Sequence, residues 1–479
     1  MKINILKSAI CSALAALIII TSIVIQSIHT YRSNYSALLG FDPEIDYTLP
    51  SSLELRKKIP IRISNDSFSW PDVDQPWDTG FLRVDIEESI TAGRYSPRLS
   101  VTHKDTVIHQ DFETSVSGYR YINISALSYS GIGKGSTLHL LGKHLSINSD
   151  KAELILFNNT PLKNDDVFLF LAPHPDDAEI AASGLYQQYN PTSWIVTVTA
   201  GEAGGSPLYD LFDSKFEQYQ RKADLRIYDS VTIPQIVGIP PIRLANLGYF
   251  DGTIKKMYEN KHQAVKSITL NHYDTSAFRK NAPVTTSTEA TWNNLVSELS
   301  QIITSIQPTV IVTPHPLMDT HSDHQYTTLA LLHAIKKTPY MDAKLLMYSN
   351  HTGTELYPFG DRESQITIPY LTQNYPVFEK VFSFPLTDKQ LSMKLLSIDL
   401  MHDLKIIPKL GSTNLRSRIR KARWDIQNYV EKPDKSYYRR AIRPNELFYV
   451  IDNNISFANA TESCLHKIES GSPDCSALF

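Results

Sequence analysis

Two short segments of this 479-residue chain concentrate groups that bind metals and move protons. One reads Ala172-Pro-His-Pro-Asp-Asp-Ala-Glu179. The other reads Pro314-His-Pro-Leu-Met-Asp-Thr-His-Ser-Asp-His324. Between them they supply His174, Asp176, Asp177, Asp319, His321, Asp323 and His324. Imidazole and carboxylate suit zinc, and two histidines with one carboxylate form a catalytic ligand set that leaves one position open. Water in such a position is acidified to a pKa of about 7. A spare carboxylate would then take its proton, and a spare imidazole would stabilise an oxyanion or protonate a leaving group. The two segments hold enough groups for every role. The plainer alternative is that Asp176 or Asp177 only caps the following helix, a common use of Asp.

Each segment directly follows an apolar run, Val167-Phe-Leu-Phe-Leu171 for the first and Val310-Ile-Val312 for the second. Continuous runs of this kind are strands buried on both faces. Helical patterns follow at 178–189, 215–228 and 329–335, with further strands at Trp194-Ile-Val-Thr-Val198 and Leu345-Leu-Met-Tyr348. Leu295, Val296, Leu299, Ile302, Ile303 and Ile306 mark one face of a helix that Pro308 stops. This βαβα order predicts an α/β fold, a doubly wound, Rossmann-like parallel sheet with helices on both faces. Ligands in such sheets bind beyond the carboxyl ends of the strands, where both segments fall. Upstream, residues 34–160 show alternation instead. Leu82, Val84 and Ile86 alternate with Arg83, Asp85 and Glu87, and short runs near 99–101, 119–124, 138–140 and 154–157 are separated by turn residues. That pattern predicts a β-sandwich. The expected units are residues 1–31, a β-sandwich over 32–160, a catalytic domain with a helical extension over 161–460, and a Cys-containing tail over 461–479.

Residues 8–31 lack Lys, Arg, Asp and Glu, which is enough apolar chain for one transmembrane helix. Lys2 and Lys7 precede it, so the positive-inside rule places the bulk of the chain outside the cytoplasm, periplasmic or extracellular. A cleaved secretion signal is the alternative. The chain has three cysteines. Cys464 and Cys475 of the tail are candidates for a disulfide in an oxidising compartment, with two free thiols as the alternative. With 47 basic and 50 acidic residues there is no charge excess to drive nucleic-acid binding. Hydrophobic residues at 42% and charged residues at 20% exclude a wholly disordered chain, a collagen and a coiled coil. Arg416, Arg418, Arg420, Lys421 and Arg423 crowd together, either as a solvated helix face or as a contact for anionic headgroups or glycans.

His174-Pro-Asp-Asp177 after one strand and His321-x-Asp-His324 after a later one resemble the PIG-L or LmbE-like family of zinc-dependent sugar N-deacetylases. Thr199-Ala-Gly-Glu-Ala-Gly-Gly205 and Leu247-Gly-Tyr-Phe-Asp-Gly252 agree with that family's intervening loops. The resemblance spans roughly residues 165–350. It implies His174, Asp177 and His324 as ligands of one zinc ion, Asp176 as general base, His321 as electrophilic or acid partner, and Asp323 as an orienting group. His315 and Asp319 are candidates for the supporting shell, because ligand histidines need a hydrogen-bond acceptor. Ala178 follows the paired aspartates where a common form of the motif differs, so no role is assigned to Glu179. The implied activity is release of acetyl groups from N-acetylated amino sugars of a glycan or glycoconjugate. Two alternatives stand beside it. A metallo-β-lactamase-type hydrolase also uses His-x-Asp-His, but has a further His at the place of Asp319. A catalytically silent polysaccharide-binding or scaffold protein would bind glycan without turnover. Gly201, Gly204 and Gly205 are candidates for a backbone nest near the substrate. His262, His272 and His402 have no partner motif and are expected to be ordinary polar residues.

Overall fold

The computed structural model describes residues 41–470 and 475, save 50–52, 54, 56, 75, 90–95, 160–161, 206–207, 209–210, 283–286, 339–341, 353, 355, 372–377, 403–418, 420–421, 423–440 and 452–453. The apolar run 8–31 and the basic cluster around Arg420 lie outside the described residues. Among those described, no helix is long and apolar enough to cross a membrane.

The alternating segment forms eight strands: β1 (Lys57–Arg62), β2 (Ser67–Ser69), β3 (Thr79–Glu88), β4 (Arg98–His103), β5 (Thr106–Asp111), β6 (Ser117–Asn123), β7 (Thr137–Lys143) and β8 (Leu145–Phe157). They pair into two four-stranded antiparallel sheets, ordered β1-β8-β3-β6 and β2-β7-β4-β5. In β3, Leu82, Val84 and Ile86 are buried while Glu87 is exposed, as the period of two requires. One apolar cluster takes Leu82, Ile122 and Leu154 from the first sheet and Leu99, Ile108 and Leu138 from the second. The first sheet is buried on both faces. Its other face carries Phe81, Tyr121, Ile155 and Phe157, which join the core of the following α/β part. Buried amides complete the junction. Asn123 Nδ2 donates to Ile366 O at 2.8 Å and to Ser383 Oγ at 2.9 Å.

The α/β part runs β9 (Phe168–Ala172), α1 (Asp177–Gln188), β10 (Ser193–Thr199), α2 (Lys215–Thr232), β11 (Leu244–Tyr249), α3 (Ile254–Glu259), α4 (Trp292–Ile306), β12 (Val310–Pro314), α5 (Ser322–Lys337), β13 (Lys344–Tyr348), β14 (Lys380–Pro385), α6 (Asp388–Leu400), β15 (Asn445–Ile451) and α7 (Asn454–Glu469). Its sheet is ordered β11-β10-β9-β12-β13-β15-β14. The order reverses at β9, which pairs in parallel with both β10 and β12. A crevice therefore opens beyond the carboxyl ends of β9 and β12. Local signals set the flanking helices. Thr291 caps α4 by accepting from Asn294 N, and Gln307 ends it in the left-handed region at φ 50°; Pro308 follows.

The sheet is not wholly parallel, which corrects the expectation. β15 runs antiparallel to both β13 and β14. The sequence rhythm of strand and helix breaks after β13, and β15 returns late to fill the place between them. Its seven residues are all buried.

That late strand also repairs α1. Ala182 has φ −143°, ψ 20°, which kinks the helix and frees amides beyond it. Glu446 on β15 accepts from Gly184 N at 2.8 Å and Leu185 N at 2.9 Å, and pairs with Lys394 of α6 at 2.7 Å. Both charged side chains are fully buried. Removing one partner strands the other charge, which costs about 3–5 kcal/mol. Glu446→Ala should therefore lower the denaturation midpoint sharply. A midpoint within a degree of the unsubstituted protein would show that the pair is not structural.

At the tail, α7 packs on α5, and Cys464 and Cys475 are joined with their Cα atoms 5.4 Å apart.

Candidate active site

The loop after β9 turns sharply enough to fold Asp177 back on its own segment. Asp177 Oδ2 accepts from His174 N at 2.8 Å. The same oxygen lies 3.1 Å from His174 Nδ1 and 3.1 Å from His324 Nε2, and the two nitrogens are 3.2 Å apart. His324 comes from the first turn of α5, delivered across the crevice by β12. These three atoms form a nearly equilateral triangle. Ligands about 2.0–2.1 Å from a tetrahedral ion stand roughly 3.3 Å apart, so the triangle is one face of such a site.

The far nitrogen of each imidazole fixes its tautomer. His324 Nδ1 faces Asp319 Oδ2 at 3.0 Å. His174 Nε2 faces Asp251 Oδ1 at 3.2 Å and Asp323 Oδ2 at 3.3 Å. With those nitrogens donating to carboxylates, His174 Nδ1 and His324 Nε2 turn lone pairs toward one point. Two lone pairs and a carboxylate oxygen at that spacing repel unless a proton or a metal ion lies among them. The surrounding carboxylates draw positive charge to the same place. Burial opposes charge on His324, but Asp177 and Asp319 outweigh it and lift the imidazole to about 10. Burial would raise Asp177, but His324 and His174 hold it well below the usual carboxylate range. The donor set fits a divalent metal.

The acceptors are themselves fixed. Asp319 Oδ2 takes amides from Asn350 at 2.9 Å and His351 at 3.2 Å. Asp323 takes amides from Gly252 at 2.6 Å and Ile254 at 3.2 Å. Asp319→Ala is expected to weaken metal binding by about 10–100-fold while leaving all three ligands in place. Competition with a chelator of known affinity measures this, and unchanged affinity would remove Asp319 from the support of His324.

Asp176 occupies the N-cap of α1 but makes no side-chain cap. Its Oδ1 instead accepts from Arg226 Nη2 of α2 at 2.9 Å. Gly201 makes room for that arginine. It has φ +68°, and a Cβ there would strike Arg226 Nε and Pro175 Cδ. His321 precedes α5 with its ring centroid 4.9 Å from that of His174 and 5.0 Å from that of His324. Its buried Nδ1 has no hydrogen-bond partner among the described residues. Burial and the two neighbouring imidazoles lower its pKa.

The structure thus brings His174, Asp176, Asp177, Asp319, His321, Asp323 and His324 into one crevice. Asp323 reaches His174 rather than His321. His315 Nδ1 accepts from Leu317 N and Met318 N at 3.2 Å, bracing the loop. Ala203 N of the glycine loop donates to Asp251 Oδ2 at 3.2 Å, so this amide holds a protein carboxylate. His262 and His402 pair with Asn293 and Asp229, and His272 packs on Phe216 and Phe278. Four contributors had no role in the sequence reading. Asp251 closes the turn after β11, and Asn350 and His351 follow β13. Both places are strand carboxyl ends, so the strand-end rule applied to every strand finds them. Arg226 is a lone helix residue with no signal in spacing. Asn350 Nδ2 donates to Asp177 Oδ1 at 2.8 Å, and His351 packs at 4.9 Å from the His324 ring. Burial drags His351 down to about 4.

Comparison with known proteins bears on the same residues. Residues 169–335 match the family model described as PIG-L: GlcNAc-PI de-N-acetylase. No curated protein matches the chain. Among solved structures, the zinc-inhibited form of teicoplanin deacetylase Orf2 is 16% identical, covers 60% of this chain and 98% of its own, with a TM-score of 0.33. The conserved protein TT1542 from Thermus thermophilus is 17% identical over 60% and 96%, TM-score 0.30. GalB, the 4-carboxy-2-hydroxymuconate hydratase from Pseudomonas putida, is 13% identical over 60% and 96%, TM-score 0.31. At these TM-scores the likeness assigns no chemistry. The family match covers both crevice loops, β9 through α5, and on that ground the chain carries a PIG-L family domain at residues 169–335, a hydrolase domain of the deacetylase type.

Proposed function

We propose that the chain hydrolyses the N-acetyl group of amino sugars in a glycan or glycoconjugate, with one zinc ion held by His174, Asp177 and His324. The observation that carries the reading is the triangle of donor atoms 3.1–3.2 Å apart, with a ring nitrogen of His321 within 4.8 Å of those of His174 and His324. Zinc held there would supply Lewis acidity and make water at the open position more acidic.

The chain's own groups supply the rest. Arg226 engages Asp176 Oδ1 and leaves Oδ2 to take the proton of the attacking water. The water oxygen bonds to the acetyl carbonyl carbon, and negative charge develops on the carbonyl oxygen. His321, whose Nδ1 has no hydrogen-bond partner among the described residues, donates a hydrogen bond to that charge, and Asp176 passes the proton it took to the nitrogen as the carbon–nitrogen bond breaks. Acetate and a free amine leave. Asp323 and Asp319 act one step back, holding His174 and His324.

The two-sheet unit before residue 160 is read as a β-sandwich, a domain that presents polymer to the catalytic unit. The uncharged run 8–31 is read as an amino-terminal anchor that keeps the bulk of the chain outside the cytoplasm. The joined Cys464 and Cys475 suit an oxidising compartment. An acetate-release screen over N-acetylated mono- and oligosaccharides, with zinc-loaded protein, tests the activity. Release from at least one substrate, abolished by chelation and restored by zinc, is expected. No release from any of them would leave glycan binding without turnover as the better reading.

A further inference from the structure

A second cavity opens far from the crevice. It lies where the two-sheet unit meets the amino ends of the α/β strands, with about 310 Å³ of internal space. Tyr189 lines it, just past the carboxyl end of α1, while Asp176 sits at that helix's amino end. The rise of the intervening helix places the cavity roughly 20 Å from the catalytic groups.

Its walls are aromatic faces backed by other rings. Trp77 packs on Trp70 at 5.4 Å between centroids, Tyr189 stacks on Phe168 at 4.5 Å, and Phe382 lies 6.2 Å from Phe448. Such rings cannot turn away, so their free faces are fixed. Tyr129 stands at the mouth, 73% exposed, an unusual exposure for so large an apolar surface. Among these faces the cavity sets a few polar groups. Asp78 accepts from Asn159 Nδ2 at 2.7 Å, and Lys344 is near enough for its charge to act on Asp78. Asn159, only 5% exposed, backs Asp78 and also donates from Nδ2 to Val381 O at 3.0 Å, which fixes the carboxylate in the wall.

We propose that this cavity is a second carbohydrate site, which holds a sugar ring of the same polymer whose acetyl groups are removed in the crevice. A pyranose ring offers an apolar C–H face to the aromatic walls and a rim of hydroxyls to Asp78 and Lys344. A lipid tail would press hydrocarbon against the charged Asp78 and Lys344 and remove their water. A nucleotide would require a cationic excess, whereas Asp78 and Lys344 balance. Only the identity of the polymer rests on the proposed deacetylation; the binding site itself does not. Both the two-sheet unit, through Trp77, Asp78 and Tyr129, and the α/β sheet, through Lys344 and Phe382, contribute to it. The ligand therefore bridges the two parts and anchors polymer while the crevice works on another ring.

The test titrates hexamers of β-linked N-acetylglucosamine, glucosamine and glucose onto the full chain carrying His174→Ala, which disables the crevice. Saturable binding of at least one hexamer is expected. Tyr129→Ala removes an exposed ring and should weaken that binding at least tenfold, with Tyr129→Phe restoring it. Asn158→Trp, at the exposed rim, should block it. In the otherwise unsubstituted protein, Tyr129→Ala should raise KM for the N-acetylated hexamer and leave acetate release from single N-acetylglucosamine unchanged. Absence of hexamer binding, or binding indifferent to both cavity variants, overturns the second site. Binding that persists in a protein releasing no acetate would instead overturn the deacetylation and leave the site standing.

Discussion

Asp176→Asn should keep its metal and lose acetate release by about 10²–10⁴-fold, the range for loss of a general base. The two neighbouring aspartates are separated by what they touch. Asp177 Oδ2 is locked into the triangle with His174 and His324, whereas Asp176 touches Arg226. Asn is nearly isosteric and still accepts from Arg226, so the loop and the ligands should be undisturbed. It has no carboxylate oxygen to take a proton. His321→Ala should behave alike, because its Nδ1 has no hydrogen-bond partner among the described residues and is assigned to the developing charge rather than to the metal. Metal content and rate must be measured on one preparation. If Asp176→Asn turns over at the unsubstituted rate, the base lies elsewhere. If it sheds metal, the division of the aspartates is wrong.

The second large effect is on the metal itself. His174→Ala or His324→Ala removes one corner of a three-atom triangle and strands Asp251 and Asp323, or Asp319, without the imidazole they orient. Stoichiometric metal should fall to a small fraction after gel filtration, and activity should fall with it. Excess zinc should recover little of either. Full occupancy in both variants would falsify this ligand set. His315→Ala offers a contrast: it should loosen the loop before α5 and cost stability, since its Nδ1 braces two amides of that loop.

The parallel half of the sheet was legible because its strands are apolar along their whole length. Phe168 to Ala172 and Val310 to Pro314 are buried at every position, and the sequence shows this as unbroken runs. Two histidine motifs at two such strand ends then located the crevice. β14 and β15 were not anticipated. Leu447 to Ile451 is as apolar as β9, but nothing local tells that it runs antiparallel and slots beside β13. That placement is decided by contacts far away in sequence. Likewise Phe81, Tyr121, Ile155 and Phe157 give the first antiparallel sheet a second buried face. Their apolarity was visible, but the partner that covers them was not. Asp251, Asn350 and His351 stood at strand ends and were within reach of the same rule. Arg226 reaches Asp176 only because Gly201 clears its path, a relation between three separate elements that no single spacing encodes.

The late arrival of β15 matters for biosynthesis. Chains emerge at about 5–20 residues per second, and amino-terminal parts fold first. When the parallel strands and the complete set of crevice groups have been made, β13 still presents an open edge, and α1 still has unanswered amides at Gly184 and Leu185. Open strand edges invite pairing with other chains. The nascent enzyme is therefore chemically complete before it is mechanically closed, and it needs protection from its neighbours until Glu446 and its strand arrive. A gene fragment trimmed to the family-matching segment, residues 169–335, would encode the three ligands but stop before β13, Asn350 and this closure, so it should yield aggregate rather than a minimal catalyst.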